Sequence, residues 1–240
     1  MANEPAKQKP TATPVTTGKP RQAGSGNEAF LARVREMQIA KRQQAPAKGR
    51  LIFAMDATAS RQPTWDKAAE LQNSMFQEAR NLEMQLVFYR GGDEPTQTSW
   101  VESGDKLGGV MRRVVCQAGL TQVRKVLVHC LAQAKKRKVD AVVFVGDAFE
   151  ENIDLLAATA NELGRAGVKF FMFQEGNNAE AEIAFREIAR MTHGAYCRFD
   201  AGAPGHLAEL LRAVAAYVGG GVKALEARSG AVRMLTFFDK

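Results

Sequence analysis

Leu51-Ile52-Phe53-Ala54-Met55-Asp56-Ala57-Thr58-Ala59-Ser60 is the stretch that decides how the rest of the chain is read. Five apolar residues run into an aspartate, and hydroxyl side chains follow at every second position. A short continuous apolar run reads as a strand buried on both faces, the kind found in parallel sheets. Asp56 then stands at the carboxyl end of that strand, the edge at which open α/β sheets bind ligands. Asp56, Thr58 and Ser60 offer one carboxylate and two neutral oxygens, a hard donor set suited to Mg²⁺ or Mn²⁺ rather than zinc. The same residue types also cap helices, so this segment alone leaves both readings open.

Working outward, strand and helix patterns alternate. Strands are predicted at 51–55, 83–89, 98–101, 139–145, 168–173 and 195–199. Helices are predicted at 63–81, 106–115, 123–137, 153–165, 180–191 and 206–218. This alternation predicts an α/β fold of three layers: a doubly wound, mostly parallel sheet covered on both faces, with 98–101 as a short antiparallel edge strand.

Val142-Val143-Phe144-Val145-Gly146-Asp147 repeats the grammar of the first strand, again ending in an aspartate. If the two strands are neighbours, Asp56 and Asp147 emerge on one edge, about 5 Å apart across the sheet. Two carboxylates that close repel one another, and a cation relieves the repulsion. Cys116-Gln117-Ala118-Gly119-Leu120-Thr121-Gln122 supplies a glycine-containing loop with a hydroxyl just before a helix.

These three segments together resemble the metal-ion-dependent adhesion site of von Willebrand factor type A domains, and the order of elements over residues 50–218 is similar to that family. Thr58 stands where the family usually has serine, and Gly146-Asp147-Ala148 where it often has Thr-Asp-Gly. The resemblance, to an intracellular, bacterial-type member, implies a Rossmann-like sheet. It also implies a divalent cation held by the Thr58, Ser60 and Thr121 hydroxyls and the Asp56 and Asp147 carboxylates. Two carboxylates leave such an ion only just neutralised, so an Asp or Glu of a partner protein can take the open position. The expected function is therefore metal-dependent protein–protein docking, not catalysis, within a multi-protein assembly.

The net charge of +7 is unevenly placed: ten of the 33 Lys/Arg but only three of the 26 Asp/Glu fall in residues 1–50. The arm carries the whole excess and residues 51–240 balance to zero. Residues 1–26 are expected to form a disordered basic tail. Residues 27–49 form a helical arm and linker, residues 50–218 the type A domain, and residues 219–240 a Gly-rich linker with an apolar tail. Phe30, Leu31, Val34 and Met37 give the arm a short apolar stripe that suits docking on the domain, docking on a partner, or extension into solvent. The tail Ala231–Phe238 is apolar and β-prone, and is expected to pair with the domain or another protein. The chain has no apolar stretch of membrane-spanning length and no secretory pattern at its start. Cys116, Cys130 and Cys197 are an odd number without metal-type spacing. A cytoplasmic location is the expectation.

Other chemistry-bearing residues read more simply. Glu150 and Glu151 read as the start of the next helix, near its positive pole. Trp65 reads as core, His193-Gly194 as a helix end, His129 as a packed or surface residue of its helix, and Lys135–Lys138 as a solvated helix end. Two alternatives remain. Strand-end aspartates with Mg²⁺ also suit a phosphate-ester hydrolase, although no acid–base lysine or histidine accompanies them. The basic arm allows nucleic-acid association, which the neutral domain does not favour.

Overall fold

The computed structural model describes residues 24–41, 48–63, 65–66, 82–90, 95–102, 104–199 and 204–219. The elements in chain order are α1 (Gly24–Lys41), β1 (Gly49–Asp56), β2 (Leu82–Tyr89), β3 (Thr96–Gln97), α2 (Gly104–Met111) and α3 (Val123–Lys136). They continue with β4 (Ala141–Gly146), α4 (Asp154–Arg165), β5 (Lys169–Glu175), α5 (Ala179–Met191), β6 (Ala195–Phe199) and α6 (Pro204–Gly219). The strands form one sheet in the order β3-β2-β1-β4-β5-β6, parallel except for β3. This is the predicted three-layer, doubly wound architecture.

β1 sits between β2 and β4, and its apolar run follows from that position. Leu51, Phe53 and Met55 pack into one core with α1 and α6, while Ile52 and Ala54 pack into a second core with α3, α4 and α5. Side chains alternate between faces along a strand. A strand covered on both faces therefore needs apolar residues at every position, and all five here are 0% exposed. The register pairs Met55 with Val145 of β4 and Asp56 with Tyr89 of β2. Asp147 thus follows its strand one step beyond the level of Asp56.

The antiparallel edge is shifted from its predicted place. β3 covers Thr96–Gln97, and Val101 rejoins β2 only as an isolated bridge to Met84. The reason lies at Thr98, whose Oγ1 accepts the Leu86 N–H at 3.1 Å while its carbonyl accepts from the Gln85 side chain at 2.8 Å. The Thr98 N–H keeps its ladder bond to the Leu86 carbonyl at 3.0 Å, but the return bond goes to the side chain. α2 stops at Met111, short of the predicted 115. Of the predicted helix 63–81, residues 63 and 65–66 are helical, and 64 and 67–81 lie outside the described residues. Residues 1–23 and 220–240, which hold the predicted disordered tail and apolar C-terminal segment, lie outside them too.

The arm helix is docked. Phe30, Leu31, Val34 and Met37 are all buried, and the Phe30 ring stands edge-on to Phe171 and Phe173 at 6.1 and 5.4 Å. Of the three dispositions open to the arm, α1 takes the domain surface, against α6 and β6. Among the described residues no helix is long and apolar enough to cross a membrane.

Candidate metal centre

Asp56 ends β1 completely buried. Its Oδ1 accepts the Thr58 backbone N–H at 2.7 Å, a turn that bends the chain out of the strand. A single 3₁₀ turn, Ala59–Arg61, follows. The Ala57 N–H donates to the Tyr89 carbonyl, and the Ala57 carbonyl accepts from Gln117, each at 3.0 Å, with Thr58 and Gln117 in a parallel bridge. The first motif is therefore stitched on one side to β2 and on the other to the loop that carries Thr121. Burial pushes the Asp56 carboxyl up from the ordinary carboxylate range. The Thr58 bonds and the charge of Arg61 oppose this, and the charge of Asp147 adds to it. Asp56 Oδ2 is buried and has no hydrogen-bond partner among the described residues.

Asp147 follows β4, half-buried, and its Oδ2 accepts from Ser60 Oγ at 2.9 Å. That bond spans 87 positions of sequence and joins the first segment to the third. Thr121 is buried, and it meets Glu150 twice. Its N–H donates to Glu150 Oε2 at 3.1 Å, and its Oγ1 accepts the Glu150 N–H at 3.0 Å. The structure therefore brings Asp56, Thr58, Ser60 and Asp147 together. It fastens Thr121 to the same edge through Glu150 and the Gln117 bridge.

Glu150 and Glu151 differ from their sequence reading. α4 begins only at Asp154, whose N–H bonds Asn152 Oδ1 at 2.9 Å. Glu151 instead accepts the backbone N–H groups of Val123 and Arg124, at the start of α3. A carboxylate at a helix N-terminus satisfies orphan donors and faces the positive pole. The helix it serves is the one after the threonine loop, not the one that follows it in sequence.

Three residues were not singled out from the sequence as part of this region. Arg61 is 1% exposed, and its Nη1 pairs with Glu175 Oε2 at the end of β5. Burial lowers its pKa, and the fields of Asp147 and Asp56 favour its charge. Its Nε and Nη2, and the hydroxyl of fully buried Tyr89, have no hydrogen-bond partner among the described residues. Burial pushes the Tyr89 phenol well up, and the charge of Asp56 and the nearness of its side chain to the phenol add to the shift. Carboxylates from β1, β4 and β5 therefore act around one guanidinium. The only sequence signal was an arginine directly after Ser60 and a glutamate closing a third apolar strand.

This donor set fits a hard divalent cation: two carboxylates, three hydroxyls, and one buried carboxylate oxygen left unsatisfied. Cys116 lies on the Thr121 loop, but burial, with Asp56 adding, pushes its thiol up to about 11, which keeps it protonated and a poor ligand. Among the described residues no group of three or more His, Cys, Asp and Glu could hold a metal, so any such centre rests on hydroxyls as much as on charge. The other residues read from sequence lie elsewhere. Trp65 is core, its Nε1 donating to the Met111 carbonyl at 2.8 Å. His129 Nε2 lies 2.9 Å from Gln85 Oε1. His193 closes α5 with a φ of 53°. Lys135, Arg137 and Lys138 pair with Glu162, Glu83 and Asp140.

Comparison with solved structures shows that the chain has the fold of von Willebrand factor type A domains. The SpRpn10 VWA domain superposes with a TM-score of 0.53 at 12% identity, over 69% of this chain and 94% of that one. Proximal thread matrix protein 1 from the mussel byssus, in a structure with a zinc-occupied MIDAS motif, gives 0.56 at 12% identity, over 71% and 47%. An aerotolerance-related membrane protein from Bacteroides fragilis NCTC 9343 gives 0.50 at 15% identity, over 68% and 98%. No protein-family model matches the sequence, and no curated protein matches it.

Proposed function

We propose that this chain is a metal-dependent docking module that receives an acidic side chain of a partner protein, in a cytoplasmic assembly. The observation that carries the reading is Asp56 Oδ2: a fully buried carboxylate oxygen with no hydrogen-bond partner among the described residues, at the ligand-binding edge of the sheet. A buried acceptor left alone costs roughly 1–3 kcal/mol. A cation in contact with it removes that cost.

In this reading Thr58, Ser60 and Thr121 supply hydroxyl oxygens, and Asp56 and Asp147 supply charge. Mg²⁺ or Mn²⁺, when bound, supplies an open coordination position that favours one more carboxylate. The chain's own residues set the geometry. The Asp56–Thr58 turn fixes the first loop, and Glu150 fixes Thr121. Arg61, paired with Glu175, also acts on Asp56 and Asp147 and offsets part of their charge. A dication held there would keep an excess of positive charge, which favours an acid from outside.

The test is calorimetric titration of Mg²⁺ and Mn²⁺ into metal-stripped protein, beside Asp56→Ala and Thr121→Ala. Binding in the parent and its loss in both variants is the expected result, followed by a Mg²⁺-dependent pull-down of acidic partners. A parent that neither binds metal nor changes its pull-down with metal would remove the docking mechanism.

A further inference from the structure

The charges of the neutral domain are segregated. Residues 106–139 hold nine Lys/Arg and no Asp/Glu, and residues 140–164 hold six Asp/Glu and no Lys/Arg. The fold carries this split to the edge of the sheet where Asp56 ends β1. Arg112 and Arg113 directly follow α2, and Arg90 directly follows β2. Arg90 Nη1 donates to the Val115 carbonyl at 2.8 Å, which brings it to the stretch that Arg112 and Arg113 enter. That stretch is pinned beside the Asp56 motif. The Cys116 N–H donates to Gln62 Oε1 at 2.8 Å, and the Gln117 N–H to the Ala57 carbonyl at 3.0 Å. Arg112 and Arg113 are exposed and Arg90 is half-buried. Among the described residues none of the three forms an ion pair. Asp66, bonded to Gln62 Nε2 at 2.8 Å, is an acid on the same side. A helix C-terminus accounts for Arg112 and Arg113, but not for Arg90, which reaches the same place from a strand.

The β4–β5 side of the same edge has the opposite sign. Glu150 precedes α4, Asp154 opens it, and Glu180 stands in the first turn of α5; all three are exposed. These acids are accounted for within the fold. Glu150 holds Thr121, and Asp154 and Glu180 face the positive poles of their own helices. Between the two sides lie Asp147 and the buried Asp56 Oδ2, which has no hydrogen-bond partner among the described residues. An acid that reaches a cation there meets arginines on one flank and carboxylates on the other. Further acids beside it are drawn toward Arg90, Arg112 and Arg113 and repelled from Glu150, Asp154 and Glu180. A nucleic-acid strand fits less well, because its phosphates carry one charge across both flanks.

We propose that the partner presents an acidic segment rather than a single acid. One carboxylate takes the open position at the metal centre, and the acids that continue from it lie over Arg90, Arg112 and Arg113. The inference rests on the docking reading above and adds the chemistry of the partner and the direction in which it lies. The arginines act through water and at range, so they set encounter and orientation, while the cation sets the anchor.

The test uses the full chain with three probes: N-acetyl-hexaglutamate amide, N-acetyl-glutamate amide and a thymidine hexanucleotide. Binding is measured in Mg²⁺ and in EDTA, beside Mg²⁺ calorimetry, for the parent and two double variants. Arg112→Glu with Arg113→Glu reverses the proposed surface. Lys135→Glu with Lys136→Glu makes the same change of net charge in the last turn of α3, at the opposite edge. The expected result is Mg²⁺-dependent binding of hexaglutamate, at least about tenfold tighter than the single glutamate. The arginine reversal removes that advantage and leaves Mg²⁺ binding intact, and the lysine reversal changes hexaglutamate binding less than about twofold. Mg²⁺-dependent binding that survives the arginine reversal, or that falls equally in both variants, overturns this inference and leaves the docking reading standing. Hexaglutamate binding that is the same in EDTA overturns both. A hexanucleotide that binds more tightly than hexaglutamate, and is lost on the arginine reversal, overturns the protein partner in favour of nucleic acid.

Discussion

A buried arginine sits at each end of the central strands, and the two are treated differently. At the amino end, Arg50 is 6% exposed and hemmed in by partners. Its backbone N–H meets Asp140 Oδ2 at 2.9 Å, and its Nη1 meets the carbonyls of Arg137 and Lys138 at 2.8 and 3.2 Å. Its Nε lies 3.2 Å from Glu83 in an ion pair without hydrogen-bond alignment, and its guanidinium lies 3.6 Å over the Trp100 ring. At the carboxyl end, Arg61 has its pair with Glu175, yet two of its nitrogens, one oxygen of Asp56 and the Tyr89 hydroxyl have no hydrogen-bond partner among the described residues. Buried polar groups are almost always partnered. The amino-end cluster departs from that rule at one atom, Arg50 Nε, which keeps Glu83 as an ion-pair partner, and it reads as structure. The carboxyl-end cluster falls short of it at the edge where ligands enter such sheets, and reads as a place for something from outside.

The largest expected effect breaks the satisfied end. Arg50→Ala removes the guanidinium that caps the Arg137 and Lys138 carbonyls and covers Trp100, while Glu83 keeps Arg137 and Asp140 keeps the backbone N–H. It is expected to lower unfolding stability by about 3 kcal/mol, the sum of the lost charged hydrogen bonds and the cation–π contact. Urea unfolding should show the same loss with and without Mg²⁺. A loss that shrinks when Mg²⁺ is added would mean the two ends are coupled, and the comparison would fail.

Next comes filling the unsatisfied end. Mg²⁺ at about 100 times its dissociation constant is expected to stabilise the parent by about 2.7 kcal/mol, a rise in Tm of about 5–10 °C for a domain of this size. Asp56→Asn should abolish the rise. In EDTA the same variant should be no less stable than the parent, because it removes a charge that burial already disfavours. A metal-free Asp56→Asn that unfolds much more easily would show that Asp56 is a structural cap.

The architecture was legible because burial on two faces forces a run of apolar residues. β1, β4 and β5 could be read from their own composition, and so could the two aspartates that end β1 and β4. What escaped reading depends on pairing between distant segments. Arg61 finds Glu175 only because the Asp56–Thr58 turn curls the loop across and β5 lies beyond β4. Glu151 was assigned to the helix that follows it, whereas the fold lends it to α3, 28 positions back. The arm stripe of Phe30, Leu31, Val34 and Met37 suits any apolar surface, so the sequence could not choose its host. The edge strand moved because one threonine side chain took the ladder's donor.

The smallest expected effect on stability is the sharpest on function. Asp147 is half-buried, and its contact with Ser60 is a donation that an asparagine oxygen accepts equally well. Asp147→Asn should therefore change stability in EDTA by no more than about 0.5 kcal/mol, as for a surface substitution. A divalent cation distinguishes carboxylate from amide where a hydroxyl does not, because only the carboxylate offsets its charge. The Mg²⁺-induced rise in Tm should then fall well below that of the parent. If Asp147→Asn keeps the full rise, Asp147 is a hydrogen-bond acceptor for Ser60 and nothing more. The unsatisfied end would then need a different second carboxylate, and Glu175, drawn to Arg61, is the one the fold places nearby.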